Sequence, residues 1–95
     1  MRLVAIENFR LVDRNKAGAD VVFEKDSNKY TAKFFFYLQG NSCLSIRTGR
    51  HEEGIRTCEL EDYIKENRNE LKKIVKPEVE RVRKEQRIRV YGLKE

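Results

Sequence analysis

One histidine, one proline and two cysteines are all that this 95-residue chain holds of those three types. Each scarcity excludes something. A lone His51 without a second cysteine pair leaves no zinc-type ligand spacing. His51-Glu52-Glu53 is a compact titratable cluster, but it falls in an expected hairpin turn with no convergent ligands from elsewhere. Cys43 and Cys58 read as free thiols; a cross-strand disulfide between them is the alternative, ill suited to a reducing compartment. No run of about eighteen apolar residues occurs, so nothing is long enough to span a bilayer as a helix. Residues 1–7 lack the uninterrupted apolar core of a secretion signal. The expectation is a soluble, cytoplasmic protein without membrane contact.

Catalytic patterns are missing as well. The serines have no base beside them in sequence, and the glycines form no phosphate-cradling loop. Gly18, Gly40, Gly49 and Gly54 sit in or beside expected turns and loops, and Gly92 follows the last apolar stretch. No family motif, internal repeat or linker is present. The expectation is a non-enzyme with no cofactor and no metal.

What is present is charge, unevenly placed. Charged residues make up 39% of the chain, with a formal net charge of +5. Residues 1–71 are electroneutral, with twelve basic and twelve acidic side chains. The whole excess lies between Lys72 and Arg89, where eight basic residues meet three glutamates. Such a focused positive field steers polyanions toward it.

Ninety-five residues suffice for one domain with a modest core. All five Phe lie within the first 46 residues, so the core is expected mainly in the N-terminal half. Period-2 alternation runs to about residue 58. Residues 3–12 read as a strand whose apolar phase shifts at Glu7-Asn8, a bulge signature. Residues 13–20 read as a loop. Residues 21–25 and 30–38 form a hairpin, with Phe23 opposite Ala32 and Val21 opposite Phe34. A loop at Gly40-Asn41-Ser42 places Leu38 opposite Leu44 and Phe36 opposite Ile46. A turn at Gly49–Glu52 then aligns Ile46 with Ile55 in a last strand.

From Glu59 the period becomes helical. Leu60, Tyr63, Ile64, Leu71, Ile74 and Val75 form one apolar stripe. Pro77 is expected to break or kink the helix, because it lacks an N–H and clashes with the preceding turn. A second helix then runs to about Arg87, and Ile88, Val90 and Tyr91 read as a short strand or extended tail. The fold class is therefore α+β: an antiparallel meander of about five strands followed by a long helical segment broken or kinked at Pro77. Residues 1–95 form a single domain on this reading.

Two surfaces carry functional expectations. On the helical segment, Lys72, Lys73, Lys76, Lys84 and Arg87 fall in one arc, and Arg83 adds to the cationic stretch. This surface suits sequence-independent contact with nucleic-acid phosphates. The competing reading is a solvated helix laced with Glu–Lys pairs such as Glu80 with Lys84. On the sheet face away from the helix, Lys33, Phe35, Tyr37, Arg47 and Arg56 combine aromatic rings with cations. That chemistry stacks bases and meets phosphates. Burial of Phe35 and Tyr37 under another segment or in a dimer competes with it. The functional expectation is a small basic binding protein contacting nucleic acid. The alternative is a protein–protein interaction module: a homodimer, or a small inhibitor of a larger host or phage complex.

Overall fold

In the computed structural model the backbone is described for residues 1–91 and the side chains as far as Arg87. Four antiparallel strands follow one another as a meander: β1 (Arg2–Asp13), β2 (Lys16–Lys25), β3 (Asn28–Gln39) and β4 (Ser42–His51). A 35-residue helix, α1 (Thr57–Tyr91), crosses one face of the sheet. The fold is α+β with four strands among the described residues, one fewer than the sequence pattern suggested.

The missing strand is the segment after His51. Ile55 is buried, but it belongs to the short connection into α1 and pairs with no strand. Arg56 caps the helix: its carbonyl accepts the N–H groups of Glu59 and Leu60, and its own N–H donates to the Glu59 carboxylate at 3.0 Å. That reciprocal arrangement satisfies donors the first turn leaves free. The carboxylate also sits at the positive end of the helix dipole.

The segment expected as a loop is half of β2. Arg14-Asn15 makes a tight turn, and Ala17, Gly18 and Ala19 pair with Phe36, Phe35 and Phe34. Small residues are weak strand formers in isolation. Here they are the complement of three consecutive Phe, and tertiary packing overrides propensity. The rings then run through the core in sequence: Phe9 to Phe36 at 5.4 Å, Phe36 to Phe34 at 6.4 Å, Phe34 to Phe23 at 5.7 Å and Phe23 to Tyr63 of α1 at 5.0 Å.

The β2–β3 register is displaced by two residues from expectation: Phe23 faces Tyr30 and Val21 faces Ala32. The turn is Asp26-Ser27, both at positive φ (52° and 66°), the backbone a two-residue hairpin needs. A two-residue slip preserves the faces, so the inward set stays correct. Phe36 does face Ile46, but Leu38 faces Cys43.

Bulges explain which apolar side chains are exposed. Val4, Val12 and Leu44 each stand as the extra residue where the ladder shifts register, and they are 39%, 46% and 54% exposed. The expected bulge at Glu7-Asn8 is present, with Asn8 at φ 56°. It turns Phe9 and Leu11 inward after Leu3 and Ile6. Leu44, expected in the core, is expelled by its bulge and Cys43 packs there instead.

The helix bends at Asn67 (φ −118°, ψ 22°) and keeps helical dihedrals through Pro77. This corrects the expected break. Pro77 lies on the exposed side of the helix, so its ring and missing N–H weaken the ladder locally without breaking it. Asn67 instead donates its side-chain amide to the Tyr63 carbonyl at 3.0 Å. Such local competition with the helical ladder is what makes Asn a poor interior helix residue. It occurs where the apolar stripe skips a turn, between Ile64 and Leu71. The two segments bury Leu60 and Ile64, then Leu71, Val75, Val79 and Val82. The helix continues through Tyr91 in place of the expected terminal strand. Residues 92–95, including Gly92, lie outside the described part.

Candidate functional site

The core stripe of α1 divides its remaining surface into two flanks of different charge. A basic residue immediately follows each of four core positions: Ile64-Lys65, Leu71-Lys72, Val75-Lys76 and Val82-Arg83. These cations share the flank toward β4. The flank toward β1 carries Ile74, Glu78, Arg81 and Glu85. There Arg81 pairs with Glu78 at 3.0 Å and Glu85 at 3.2 Å, and donates to the Phe9 carbonyl at 2.9 Å. Its charge is compensated locally, and the Glu78 hydrogen bond followed by Glu78 and Glu85 charge holds its pKa up.

Lys72, Lys73 and Lys76 come together. With Asn41, Ser42, Cys43 and Val79 they line a cleft of about 280 Å³ between α1 and the β3–β4 turn, with no carboxylate in the lining. Burial raises the Cys43 thiol pKa, and the nearby Lys72 charge partly offsets this. The thiol donates to the Ser45 carbonyl at 3.5 Å. Lys72 is half-buried, whereas Lys73 and Lys76 are exposed. None of the three has a carboxylate at ion-pair distance among the described residues.

Arg83 is placed differently. Its guanidinium donates to the carbonyls of Gly40 and Arg14, both at 2.8 Å, and to the Asn15 and Gln86 side-chain oxygens, both at 3.1 Å. It ties the helix to the two turns at one end of the sheet, so most of its donor directions are occupied within the fold. Lys84 and Arg87 are exposed further along the helix, away from the lysine cleft. The expected Glu80–Lys84 pair is not among the ion pairs formed by the described residues.

The open face of the sheet keeps four of its five expected residues. Lys33, Phe35, Tyr37 and Arg47 point away from α1; Arg56 does not join them, because it caps the helix. Phe35 and Tyr37 are half-buried by their sheet neighbours and no described segment lies over them. The Phe35 ring lies across the sheet, one edge over Gly18 of β2 and the other over Gly49 of β4. Lys16, missed from the sequence because its strand was read as a loop, places its ammonium 4.5 Å from the Phe35 centroid and 5.6 Å from that of Tyr37. Lys33 is held by Asp20 at 3.2 Å. Arg47 lies opposite Phe35 and is exposed at the free edge of β4.

Lys65 and Arg68 were also missed. With Arg47, Thr48 and Leu44 they line a second groove between β4 and α1, of about 460 Å³. For Lys65 the signal was a cation one position beyond the core residue Ile64; Arg68 follows Asn67 and carries no such mark, and the net-charge count places both in the neutral part of the chain.

His51 binds the Thr57 hydroxyl through Nε2 at 2.8 Å. Among the described residues no group of His, Cys, Asp or Glu is arranged to hold a metal ion. Both cysteines are free: Cys43 half-buried on β4, Cys58 exposed on the first helical turn. No described helix is long and apolar enough to cross a membrane. Compared with known proteins, the chain matches no family model, no curated protein and no solved structure.

Proposed function

We propose that this chain is a small, non-enzymatic binding protein that contacts nucleic-acid phosphates through α1. The observation that carries the reading is the cleft lined by Lys72, Lys73 and Lys76 with no carboxylate in its walls. Lysines held together without counter-charges raise the local potential, and a phosphate row that enters releases its own condensed cations. Lys84 and Arg87 extend the positive field along the helix. Arg83 contributes by pinning the turn that forms one wall of the cleft. The open face adds Phe35, Tyr37, Lys16, Lys33 and Arg47, a combination suited to stacking a base beside a phosphate.

A second reading, a protein–protein interaction module acting as a homodimer or as an inhibitor of a larger complex, is favoured by one observation. β4 is a free edge strand carrying Leu44, 54% exposed. Unpaired edges of this kind accept another chain. Two measurements separate the readings. Fluorescence anisotropy with single- and double-stranded oligonucleotides at low and moderate salt is expected to give micromolar or tighter binding that weakens with salt. Size-exclusion chromatography with light scattering reports self-association. A dimer indifferent to oligonucleotides overturns the first reading.

A further inference from the structure

We infer that the phosphate path runs along the groove between β4 and α1, from the Lys72–Lys76 cleft past Arg68 to Lys65. It does not follow the helix outward to Lys84 and Arg87. The inference rests on the phosphate-binding reading above and gives it a footprint and a ligand form. That form is one extended row of phosphates, as in single-stranded nucleic acid or inorganic polyphosphate.

Two observations carry it. First, Arg68, Lys72 and Lys76 stand at i, i+4 and i+8 on one face of the helix after the Asn67 bend, and Lys65 joins Arg68 in the groove lining. The stretch from Arg68 to Lys76 spans about 12 Å at 1.5 Å per residue. Second, the groove that α1 shares with β4 is lined by Lys65 and Arg68 against a single carboxylate, Glu61, and the carboxylate-free lysine cleft is lined by the next residues along the same two elements, 41–43 and 72–79.

The arm beyond is cut off from this path. Glu80 interrupts the cationic face, and Arg83 is committed to Gly40, Arg14 and Asn15. One row of cations pairs with one row of phosphates, so the inferred ligand is a single backbone, and a duplex gains little from its second strand.

The test compares the wild-type protein with two charge-reversal pairs, Lys65→Glu with Arg68→Glu and Lys84→Glu with Arg87→Glu. All four side chains are exposed, and circular dichroism checks that the variants fold. Anisotropy is read with a labelled mixed-sequence single strand and with its duplex, and inorganic polyphosphate serves as competitor. The Lys65/Arg68 pair is expected to weaken single-strand binding at least tenfold. It should also reduce the slope of log K against log salt by about 1.4, at roughly 0.7 per lost phosphate contact. The Lys84/Arg87 pair should change affinity less than about threefold, in keeping with distant charges screened beyond a Debye length. Polyphosphate should compete, and the duplex should bind more weakly. A loss carried by Lys84/Arg87, a duplex bound as tightly as the single strand, or polyphosphate that does not compete overturns the inference and leaves the phosphate reading standing. A wild-type protein that binds no probe at low salt overturns both.

Discussion

At Gly49 an added Cβ would lie 2.7 Å from Cε2 of Phe35, inside any real contact distance. The clash is with a ring carbon, so relieving it means tilting the whole Phe35 ring or shifting β4. Alanine in place of glycine in a strand gains up to about 1 kcal/mol of backbone entropy. Forcing a ring off its rotamer costs about 1–3 kcal/mol. The clash wins, so Gly49→Ala should lower stability by about 1–2 kcal/mol in urea denaturation. Glycine in this position is therefore a packing residue, although in the sequence it reads as turn punctuation. Glu59 illustrates a second residue-scale effect. The Lys25 ammonium, bonded at 2.8 Å, and the backbone N–H of Arg56 hold its carboxyl below the usual range. A depressed carboxylate pKa contributes stability above the unfolded value near 4.3 that is lost as pH falls through the folded value. Glu59→Gln should thus be less stable than wild type at pH 7. The gap should close as both are titrated below about pH 4, measured as Tm against pH.

Elements were legible where one residue type repeats with a clear period, and illegible where packing partners decide. The hairpin between β2 and β3 was readable from Phe and Val alternation, and its two-residue slip left the faces intact. The first half of β2 was not, because Ala17, Gly18 and Ala19 become strand residues only once Phe36, Phe35 and Phe34 lie opposite. The last expected strand failed for a related reason: Ile55 carries an apolar side chain that the core needs, but the chain there is already turning into the helix cap. Proline was over-read and asparagine under-read. Pro77 lies on the exposed side of α1, while Asn67 bends it where the apolar stripe has a gap. Proline in a helix interior costs about 3 kcal/mol relative to alanine. Restored freedom of the unfolded chain returns about 0.4–1 kcal/mol of that. Pro77→Ala should therefore raise stability by about 2 kcal/mol, read as a higher urea midpoint with an unchanged m-value. A fall in the midpoint would show that Pro77 sets the course of the helix after all.

For the molecule as a whole, the sequence located the excess charge but not its direction. Eight cations in eighteen residues suggested a positive arm. The fold distributes them: Arg81 is compensated by Glu78 and Glu85, Arg83 is built into the turns, and Lys72, Lys73 and Lys76 gather beside β4. Lys65 and Arg68, from the electroneutral part, join that flank. Counting charge along the chain could not reveal this, because it depends on which helix face meets the sheet. Among the described side chains, the cations that gather do so on a flank of the body beside β4. Backbone-amide NMR during titration with a single-stranded oligonucleotide tests this claim most directly. Shift changes concentrated in residues 42–48 and 65–76, with the β1 strand and the Glu78–Glu85 flank unmoved, are the predicted result. Changes centred on β1 or on Lys84 and Arg87, or none at saturating oligonucleotide, would contradict it.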